Sequence, residues 1–323
     1  MSAGGGAAQP RRESVAAVVV TYNRRELLDE ALAALRDQTR VPDRFIVVDN
    51  ASSDGTAALI RDRFPDVELL ELPRNVGGAG GFAAGIARAL DAGMDLLWLL
   101  DDDTVPEPGA LQALLAAREA GAGEDGPPTL VASRVVWTDG RAHPMNTPRP
   151  KPRATAAEWE IARAAGCVPI RSASFVSVLV DAAVVRRRGL PVADYFLWND
   201  DFEFTTRLLR GRRGLLCDDS VVVHKTKGFG GADADPGERF FYEVRNKIWL
   251  FTGSPGLAPP ERALYAGSTL RRWSRTFVGA TDRSVLRRAM LRGVRDGLLT
   301  RPRPTAALLS EIGVDTPQRT DKT

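Results

Sequence analysis

The sequence VAAVVVTYNR, residues Val15–Arg24, places an unbroken apolar run directly before four polar residues. Four of the six apolar residues are valines, and β-branched side chains favour strands. A continuous apolar run, instead of an alternating one, is typical of a strand buried on both faces of a parallel sheet. We therefore predict a buried strand over Val15–Val20, followed by the polar residues Thr21–Arg24.

Strand and helix patterns alternate four times between Val15 and Leu100. Such alternation favours an α/β fold with a doubly wound, mostly parallel sheet. Polar residues follow the carboxyl ends of the strands, which is where ligands bind such sheets. The further predicted elements are strands Phe45–Val48, Val67–Leu72 and Leu96–Leu100, helices Glu26–Arg36 and Thr56–Arg63, and a helix that follows the glycine-rich Asn75–Gly85 and ends at Ala92.

Composition and charge divide the chain into three parts. Residues 1–13 are polar and rich in Gly and Ala, so we expect a disordered leader and not a signal peptide. Residues 14–239 form the predicted α/β domain, and residues 240–323 are predicted to be basic and mainly helical. From Gly256 onward the chain carries 13 Lys and Arg against 6 Asp and Glu, while the whole chain has a net charge of +3. This pattern favours a basic segment attracted to an anionic surface and indicates no nucleic-acid partner.

The two cysteines, Cys167 and Cys217, match neither a disulfide framework nor a zinc motif. Their number favours a reducing compartment such as the cytoplasm. No apolar run reaches the ~18–20 residues that a membrane-spanning helix requires. We therefore expect a cytoplasmic protein that is soluble or peripheral to a membrane.

Three consecutive aspartates, Asp101–Asp103, follow the predicted strand Leu96–Leu100. Carboxylates packed so closely repel one another by on the order of several kcal/mol at a protein-like dielectric. A divalent cation would relieve that repulsion, and oxygen ligands suit Mg²⁺ or Mn²⁺ while leaving positions for substrate phosphates. The cluster predicts a metal site, with a solvated acidic turn that caps the next helix as the alternative.

A glycine-rich stretch, NVGGAGGF (Asn75–Phe82), follows the third predicted strand. Its spacing and position differ from the dinucleotide-binding fingerprint, which follows the first strand of such a sheet. Backbone N–H groups at the start of the next helix could bind a diphosphate or a sugar at close range. A plain tight loop is the alternative.

A third cluster, WNDDFEF (Trp198–Phe204), combines acidic and aromatic residues near a helix predicted from Asp201 to Gly211. Helical spacing directs Phe204 and Leu208 to the core and leaves carboxylates free at the helix start. Carboxylates beside an apolar, partly desolvated pocket suit a general base. The alternative is a helix start whose acids are stabilised by the helix dipole.

His224 follows a predicted strand over Ser220–Val223. A lone histidine is more often structural, but beside the triple aspartate His224 becomes a candidate third protein ligand to the metal. His143 has no such context, and we assign it no role.

Six segments occur in the order found in the inverting GT-A glycosyltransferases of family two, and the chain resembles that family from Val15 to Lys225. They are VVVTYNR, IVVDNASSDGT, RNVGGAGGF, LLDDD, WNDDFEF and the VVVH strand. The NVGGAGGF, triple-aspartate and NDDFEF segments are most similar to the actinobacterial galactofuranosyltransferases that begin the cell-wall galactan. The rhamnosyltransferases of the same superfamily share much of this pattern. Asn199 departs from it, because relatives often have an acidic or aromatic residue there.

The resemblance implies a role for each matching residue. Asp101 and Asp103 would hold the metal or the donor ribose, and His224 would complete the metal site. Asp201 would be the catalytic base, with Asp200 as the alternative, and Glu203 would orient the acceptor. The residues implied in donor binding are Thr21, Asp49, Asn50, Arg74, Asn75, Gly77, Gly78, Asp101 and Asp102.

The implied reaction moves a sugar with inversion from UDP-galactofuranose to a polyprenyl-diphosphate-linked glycan in cell-wall synthesis, with Mn²⁺ or Mg²⁺ as cofactor. A rhamnosyltransferase that uses dTDP-rhamnose is the alternative. A sugar nucleotidyltransferase would need a basic, glycine-rich phosphate loop where Thr21–Arg24 stands. An inactive sugar-binding subunit would lack a metal or base carboxylate, and all are present.

The C-terminal region is predicted to meet the inner face of the plasma membrane. Leu270–Leu299 mixes eight arginines with leucine and aromatic residues, a composition typical of interfacial amphipathic helices. The alternative is a basic helical layer that packs on the domain through its apolar side.

Overall fold

A nine-stranded sheet forms the centre of the structure, a computed structural model that describes residues 12–144, 146–148, 150–229 and 236–317. Residues 1–11 of the predicted leader lie outside the described residues. The first elements alternate as predicted: β1 (Val15–Thr21), α1 (Arg25–Arg36), β2 (Arg44–Asp49), α2 (Thr56–Arg63), β3 (Val67–Glu71), α3 (Gly77–Asp91) and β4 (Leu96–Asp101). The later elements are β5 (Thr104–Pro106), α4 (Ala110–Ala120), β6 (Leu130–Val136), α5 (Ala156–Ala164), β7 (Cys167–Ile170), β8 (Ser177–Asp181), α6 (Ala182–Arg188), α7 (Asp200–Leu208), β9 (Gly214–His224), α8 (Phe240–Gly253), α9 (Pro259–Gly279), α10 (Arg283–Leu299) and α11 (Thr305–Glu311).

The strands lie in the order β3-β2-β1-β4-β8-β6-β9-β5, and β7 also pairs with β9. The pairings among β1 to β4 are parallel, which confirms the predicted doubly wound half of the sheet. Beyond β4 the sheet is mixed, because β8 runs antiparallel to both β4 and β6. Strand β2 lies on one side of β1 and β4 lies on the other, so the direction in which strands are added to the sheet reverses at β1. This reversal opens a crevice at the carboxyl ends of β1 and β4.

Successive residues of β1 point to opposite faces of the sheet, and both faces are covered. Val18 packs in a core with α3, while Val19 packs in a second core with α1 and α4. Every residue of β1 is buried, as the unbroken apolar run predicted. The two cysteines lie opposite each other in the β7–β9 pair, as buried free thiols.

The glycine-rich stretch is helical and not a loop, contrary to the tight-loop alternative. Its glycines allow α3 to lie close to the sheet. A Cβ on Gly85 would lie 2.5 Å from Val18 Cγ1, and one on Gly81 would lie 2.5 Å from Val20 Cγ1. Gly77 begins the helix at φ +74°, against the backbone of Phe196. The low helix propensity of glycine is therefore outweighed by close helix–sheet packing.

The C-terminal region is helical, as predicted, and part of it packs into the α/β core. Val244 of α8 and Leu286 of α10 share a small apolar core, and Leu309 of α11 joins the core around α3. In contrast, α9 buries few side chains. Among the described residues, no helix combines the length and the apolar composition needed to cross a membrane.

Candidate active site

Asp101, Asp103 and His224 meet at the carboxyl-end edge of the sheet. Asp101 is the last residue of β4, and His224 ends β9, which is longer than the predicted Ser220–Val223. The short strand β5 pairs antiparallel with β9 so that Thr104 lies opposite His224, which brings Asp103 to the imidazole. One ligand atom from each of the three residues lies within 4.8 Å of the others. This geometry could hold a metal ion.

The hydrogen bonds around the cluster fit a cation. Asp103 Oδ1 is buried and has no hydrogen-bond partner among the residues that the structure describes, although it lies 3.0 Å from His224 Nε2. His224 Nδ1 lies 3.0 Å from Asn146 Oδ1, so Nδ1 donates to Asn146 and Nε2 is left facing the carboxylates. Two oxygen ligands and one imidazole nitrogen suit Mn²⁺ or Mg²⁺.

Crowding of the carboxylates shifts their pKa values. Burial and the neighbouring Asp103 raise the pKa of Asp101 to about 7. The pKa of Asp103 is lowered although burial opposes its charge, because His224 and Arg24 stabilise the anion. The pKa of His224 is raised, since Asp103 and Asp101 outweigh the burial that disfavours its cation. A divalent cation would replace protons as the partner of these groups.

Asp102 is not one of the three clustered ligand residues. Its carboxylate accepts a hydrogen bond from Thr21 Oγ1 at 2.8 Å and forms an ion pair with Arg24 Nη1 at 3.1 Å. The same Arg24 atom also pairs with Asp103. Burial raises the pKa of Asp102 to about 6. Asp102 therefore ties the end of β1 to the aspartate turn, and its role in donor binding stays a prediction.

The residues predicted to bind the donor lie at the same edge, but not as one set. Thr21 and Asp49 end β1 and β2 side by side, and Asp49 Oδ1 accepts a hydrogen bond from Ser52 N. The Asn50 amide donates to Gly77 O at 3.0 Å and accepts from Val76 N at 3.2 Å, which fixes the start of α3 against β2.

Gly78 and Arg74, which are both predicted to bind the donor, lie in different surroundings. A Cβ on Gly78 would meet nothing within 4 Å, so the backbone there is open to a ligand. Arg74 forms an ion pair with Glu311. Together with Asn75, Arg74 lines a separate cavity of about 200 Å³ that Phe196, Tyr242 and Arg245 also line. Asp101, Asp102 and Asp103 do not line this cavity, and the roles of Arg74 and Asn75 in donor binding stay predictions.

Asp200 and Asp201 begin α7, which confirms the predicted helix start to within one residue. Burial raises the pKa of Asp201 to about 6, while the Phe202 N–H and the Lys247 ammonium oppose that rise. The pKa of Asp200 is raised well above its ordinary value by burial, with Asp201 and Asp101 adding to the rise. Asp101 therefore lies within electrostatic reach of the start of α7.

Glu203 is buried inside the protein. Its two carboxylate oxygens accept hydrogen bonds from Arg207 at 2.8 and 3.0 Å, and Oε1 also accepts from Ser254. The side chain is only 2% exposed, and its charge is already paired with the Arg207 guanidinium. We therefore replace its predicted acceptor role with a structural one, namely holding α7 to the segment after α8.

Sequence reasoning missed three residues that complete this site. Arg24 bridges two aspartates, Asn146 orients His224, and Lys247 lies buried beside Asp201. Only Lys247 had a usable signal, because it is a cation within the aromatic helix segment FFYEVRNKIWLF. The contacts of Arg24 and Asn146 depend on tertiary structure.

Comparison with known proteins agrees with this geometry. The family model described as Glycosyl transferase family 2 matches residues 16–172. The galactofuranosyltransferase GlfT1 of Mycobacterium tuberculosis is 32% identical over 292 residues, which cover 80% of this chain and 87% of that relative. The chain belongs to glycosyl transferase family 2. The N-acetylglucosaminyl-diphospho-decaprenol L-rhamnosyltransferase of the same organism is 35% identical over 137 residues, 39% of this chain and 45% of that relative.

Solved structures of other proteins share the fold. Staphylococcus aureus TarS 1-349 in complex with UDP-GlcNAc has a TM-score of 0.60 at 15% identity, and the match covers 91% of this chain and 83% of that one. The mannosyltransferase PcManGT from Pyrobaculum calidifontis, in complex with GDP-Man and Mn²⁺, has a TM-score of 0.52 at 20% identity, with 94% and 80% covered. The predicted GT-A fold of this glycosyltransferase is confirmed.

Proposed function

We propose that this family-two glycosyltransferase transfers galactofuranose with inversion from UDP-galactofuranose to a polyprenyl-diphosphate-linked glycan. The observation that carries the proposal is the Asp101–Asp103–His224 cluster, in which one ligand atom from each residue lies within 4.8 Å of the others. Asp200 and Asp201 begin α7, and burial raises the pKa of both, so candidate base carboxylates accompany the candidate metal ligands. In direct displacement by a hydroxyl group, a metal ion stabilises the leaving nucleoside diphosphate and a general base accepts the hydroxyl proton.

The donor occupies the crevice between β1 and α3. Thr21, Asp49 and Asn50 hold the nucleoside, and the open backbone at Gly78, at the start of α3, approaches the diphosphate. Bound at Asp101, Asp103 and His224, Mn²⁺ or Mg²⁺ would neutralise charge on the departing nucleoside diphosphate. Asn146 supports that role by holding the His224 proton on Nδ1.

Asp201 is the general base, with Asp200 as the alternative. The ionised Asp201 carboxylate accepts the proton of an acceptor hydroxyl, whose oxygen then attacks the anomeric carbon opposite the leaving group. A base is most effective when its pKa lies near the working pH, and a value of about 6 meets that condition. Burial raises the pKa of Asp200 well above its ordinary value, which favours its protonated form.

The relatives support our choice of donor and acceptor. The galactofuranosyltransferase match spans most of both chains, whereas the match to the rhamnosyltransferase spans 39% of this chain. We therefore place galactofuranose first and dTDP-rhamnose second as donor. The test is a panel of nucleotide sugars with a lipid-linked acceptor and Mn²⁺, in which the products are identified by mass spectrometry. Turnover of UDP-galactofuranose is expected, and turnover of dTDP-rhamnose alone would favour the second candidate.

The protein works at the inner face of the membrane that holds this acceptor, in our proposal. Helices α9 and α10 expose arginines beside large apolar side chains that are more than half exposed: Leu270, Val278, Leu291, Leu298 and Leu299. Such a surface suits an anionic bilayer, where each nearby cation contributes up to about 1 kcal/mol.

A further inference from the structure

The chain segment that leads into Asp200 and Asp201 is strained. Residues 195–199, which we term the approach loop, join a short 3₁₀ turn to α7. Phe196, Trp198 and Asn199 have φ angles of 62°, 64° and 67°. This left-handed region is unfavourable for residues other than glycine, and for a bulky Phe or Trp above all. Such a conformation persists only where the surrounding structure holds it.

Asn246 of α8 makes the contacts that hold the approach loop. Its side chain is fully buried, and Nδ2 lies 2.9, 2.9 and 2.8 Å from the carbonyl oxygens of Tyr195, Leu197 and Trp198. The two protons of this amide group therefore serve three carbonyls that curve around it, with one proton shared between two of them. Oδ1 accepts a hydrogen bond from Arg245 Nε at 3.0 Å, which agrees with Nδ2 facing the loop.

Two more contacts enclose the loop. Glu243 Oε2, also on α8, accepts a hydrogen bond from Asn199 Nδ2 at 2.8 Å. On the other side the Phe196 carbonyl lies so close to α3 that a Cβ on Gly77 would be 2.1 Å from its oxygen. The approach loop is thus held between α8 and the start of α3, which is the helix start that we assign to the donor diphosphate.

We propose that Asn246 is a positioning residue for sugar transfer, which fixes the approach loop and thereby aims Asp201 at the acceptor hydroxyl. This inference rests on the proposed role of Asp201 as base. All three acceptors of the Asn246 amide belong to the loop, and the loop ends one residue before Asp200. Loss of the amide frees the direction in which α7 begins, and an error of about 1 Å in a reacting group can cost on the order of 10²-fold in rate.

Two variants and a matched control test the proposal. Asn246→Ala removes every hydrogen bond from this side chain to the loop. Asn246→Ser keeps one hydroxyl donor on a shorter side chain. Trp249→Phe is the control: it lies on the same helix, is also buried, keeps its ring against Tyr195 and loses one hydrogen bond, to Thr300 O at 3.1 Å, outside the loop. Measurements are kcat and KM for UDP-galactofuranose, nucleotide affinity by calorimetry, thermal melting, and hydrogen exchange of peptides covering residues 195–202.

Asn246→Ala is expected to lower kcat by roughly 10²-fold, with donor affinity little changed and faster exchange in residues 195–202. Asn246→Ser should fall between Asn246→Ala and the wild type, and Trp249→Phe should lower the melting temperature without either effect. Unchanged loop exchange in both Asn246 variants, or a kcat loss no larger than that of Trp249→Phe, would overturn the proposal. If the wild type transfers no sugar, the proposed function fails, while loop exchange still decides whether Asn246 holds the loop.

Discussion

At the scale of single residues, the site depends on charges held close together under partial burial. Burial raises the pKa of Asp201 to about 6, and the nearby Glu243 carboxylate adds to that rise. The Phe202 N–H and the Lys247 ammonium oppose it. Lys247 itself has a pKa lowered to about 8 by burial, so it remains a cation near pH 6. Below its pKa Asp201 is protonated and cannot accept a proton. Activity should therefore fall as the pH drops through about 6.

In the Lys247→Met variant, the fall in activity at acid pH (the acid limb of the pH profile) should move to higher pH. Removing the cation removes a force that favours the ionised form of Asp201, so the pKa of Asp201 rises. The measurement is the pH profile of kcat/KM for the wild type, Lys247→Met and Lys247→Arg, the last of which keeps the charge. An acid limb that stays in place in Lys247→Met would show that Lys247 does not act on the base.

The Asp103→Ala variant should lose metal affinity while keeping its fold. Asp103 supplies one of three clustered ligand atoms, and its Oδ1 is the buried oxygen without a hydrogen bond among the described residues. The measurement is Mn²⁺ binding by calorimetry, with a thermal melt as the fold control. We expect at least a tenfold weaker Mn²⁺ affinity and loss of transfer, since removal of even outer groups typically costs about 10–100-fold. Mn²⁺ binding equal to that of the wild type would remove Asp103 from the ligand set.

At the scale of elements, sequence patterns predicted the strands and helices whose formation depends on neighbouring residues in the chain. The strands β1 to β4 and the helices between them follow from hydrophobic periodicity, and the aspartate turn and α7 follow from polar residues at element ends. The helical state of the glycine-rich stretch did not follow, because its close contact with β1 and β2 outweighs glycine's low helix propensity. The contacts of Asn146 and Asn246 could not be predicted either, since their partners are distant in sequence.

Gly85→Ala should destabilise the protein through the α3–sheet contact. The added Cβ would lie 2.5 Å from Val18 Cγ1 and 2.9 Å from Val48 Cγ2, and overpacking of this kind typically costs ~1–3 kcal/mol. The control is Gly267→Ala on α9, where an added Cβ meets nothing within 4 Å and helix propensity favours alanine by up to about 1 kcal/mol. Denaturant unfolding should show a lower free energy for Gly85→Ala only. Equal stabilities would contradict the packing explanation.

At the scale of the whole molecule, the structure combines an α/β domain with basic helices that expose apolar side chains. Residues 240–317 pack closely with the α/β domain, because α11 joins the core around α3 and α8 holds the approach loop. Deleting the C-terminal helices would therefore disturb the fold, and substitutions are the better test of membrane binding.

Binding to anionic vesicles should weaken when arginines of α9 and α10 are neutralised. The triple variant Arg271→Gln, Arg275→Gln, Arg287→Gln removes three exposed cations, which corresponds to up to ~3 kcal/mol, or about 10²-fold in partitioning. The control neutralises three exposed arginines on α2 and α5: Arg61, Arg63 and Arg163. Vesicle sedimentation at several salt concentrations should show the loss in the first variant only. Equal binding by both variants would assign the basic helices a structural role alone.

The central claim is that Asp201 is the base of a direct displacement at the anomeric carbon of the donor. Its most direct test is the product formed from UDP-galactofuranose and a lipid-linked acceptor, with anomeric configuration read by NMR and rates compared between wild type and Asp201→Asn. The proposed mechanism gives a product whose configuration is opposite to that of the donor, and a rate that falls about 10²–10⁴-fold in Asp201→Asn with donor affinity preserved. A product that retains the donor configuration, or an Asp201→Asn variant near wild-type rate beside a crippled Asp200→Asn, would contradict it.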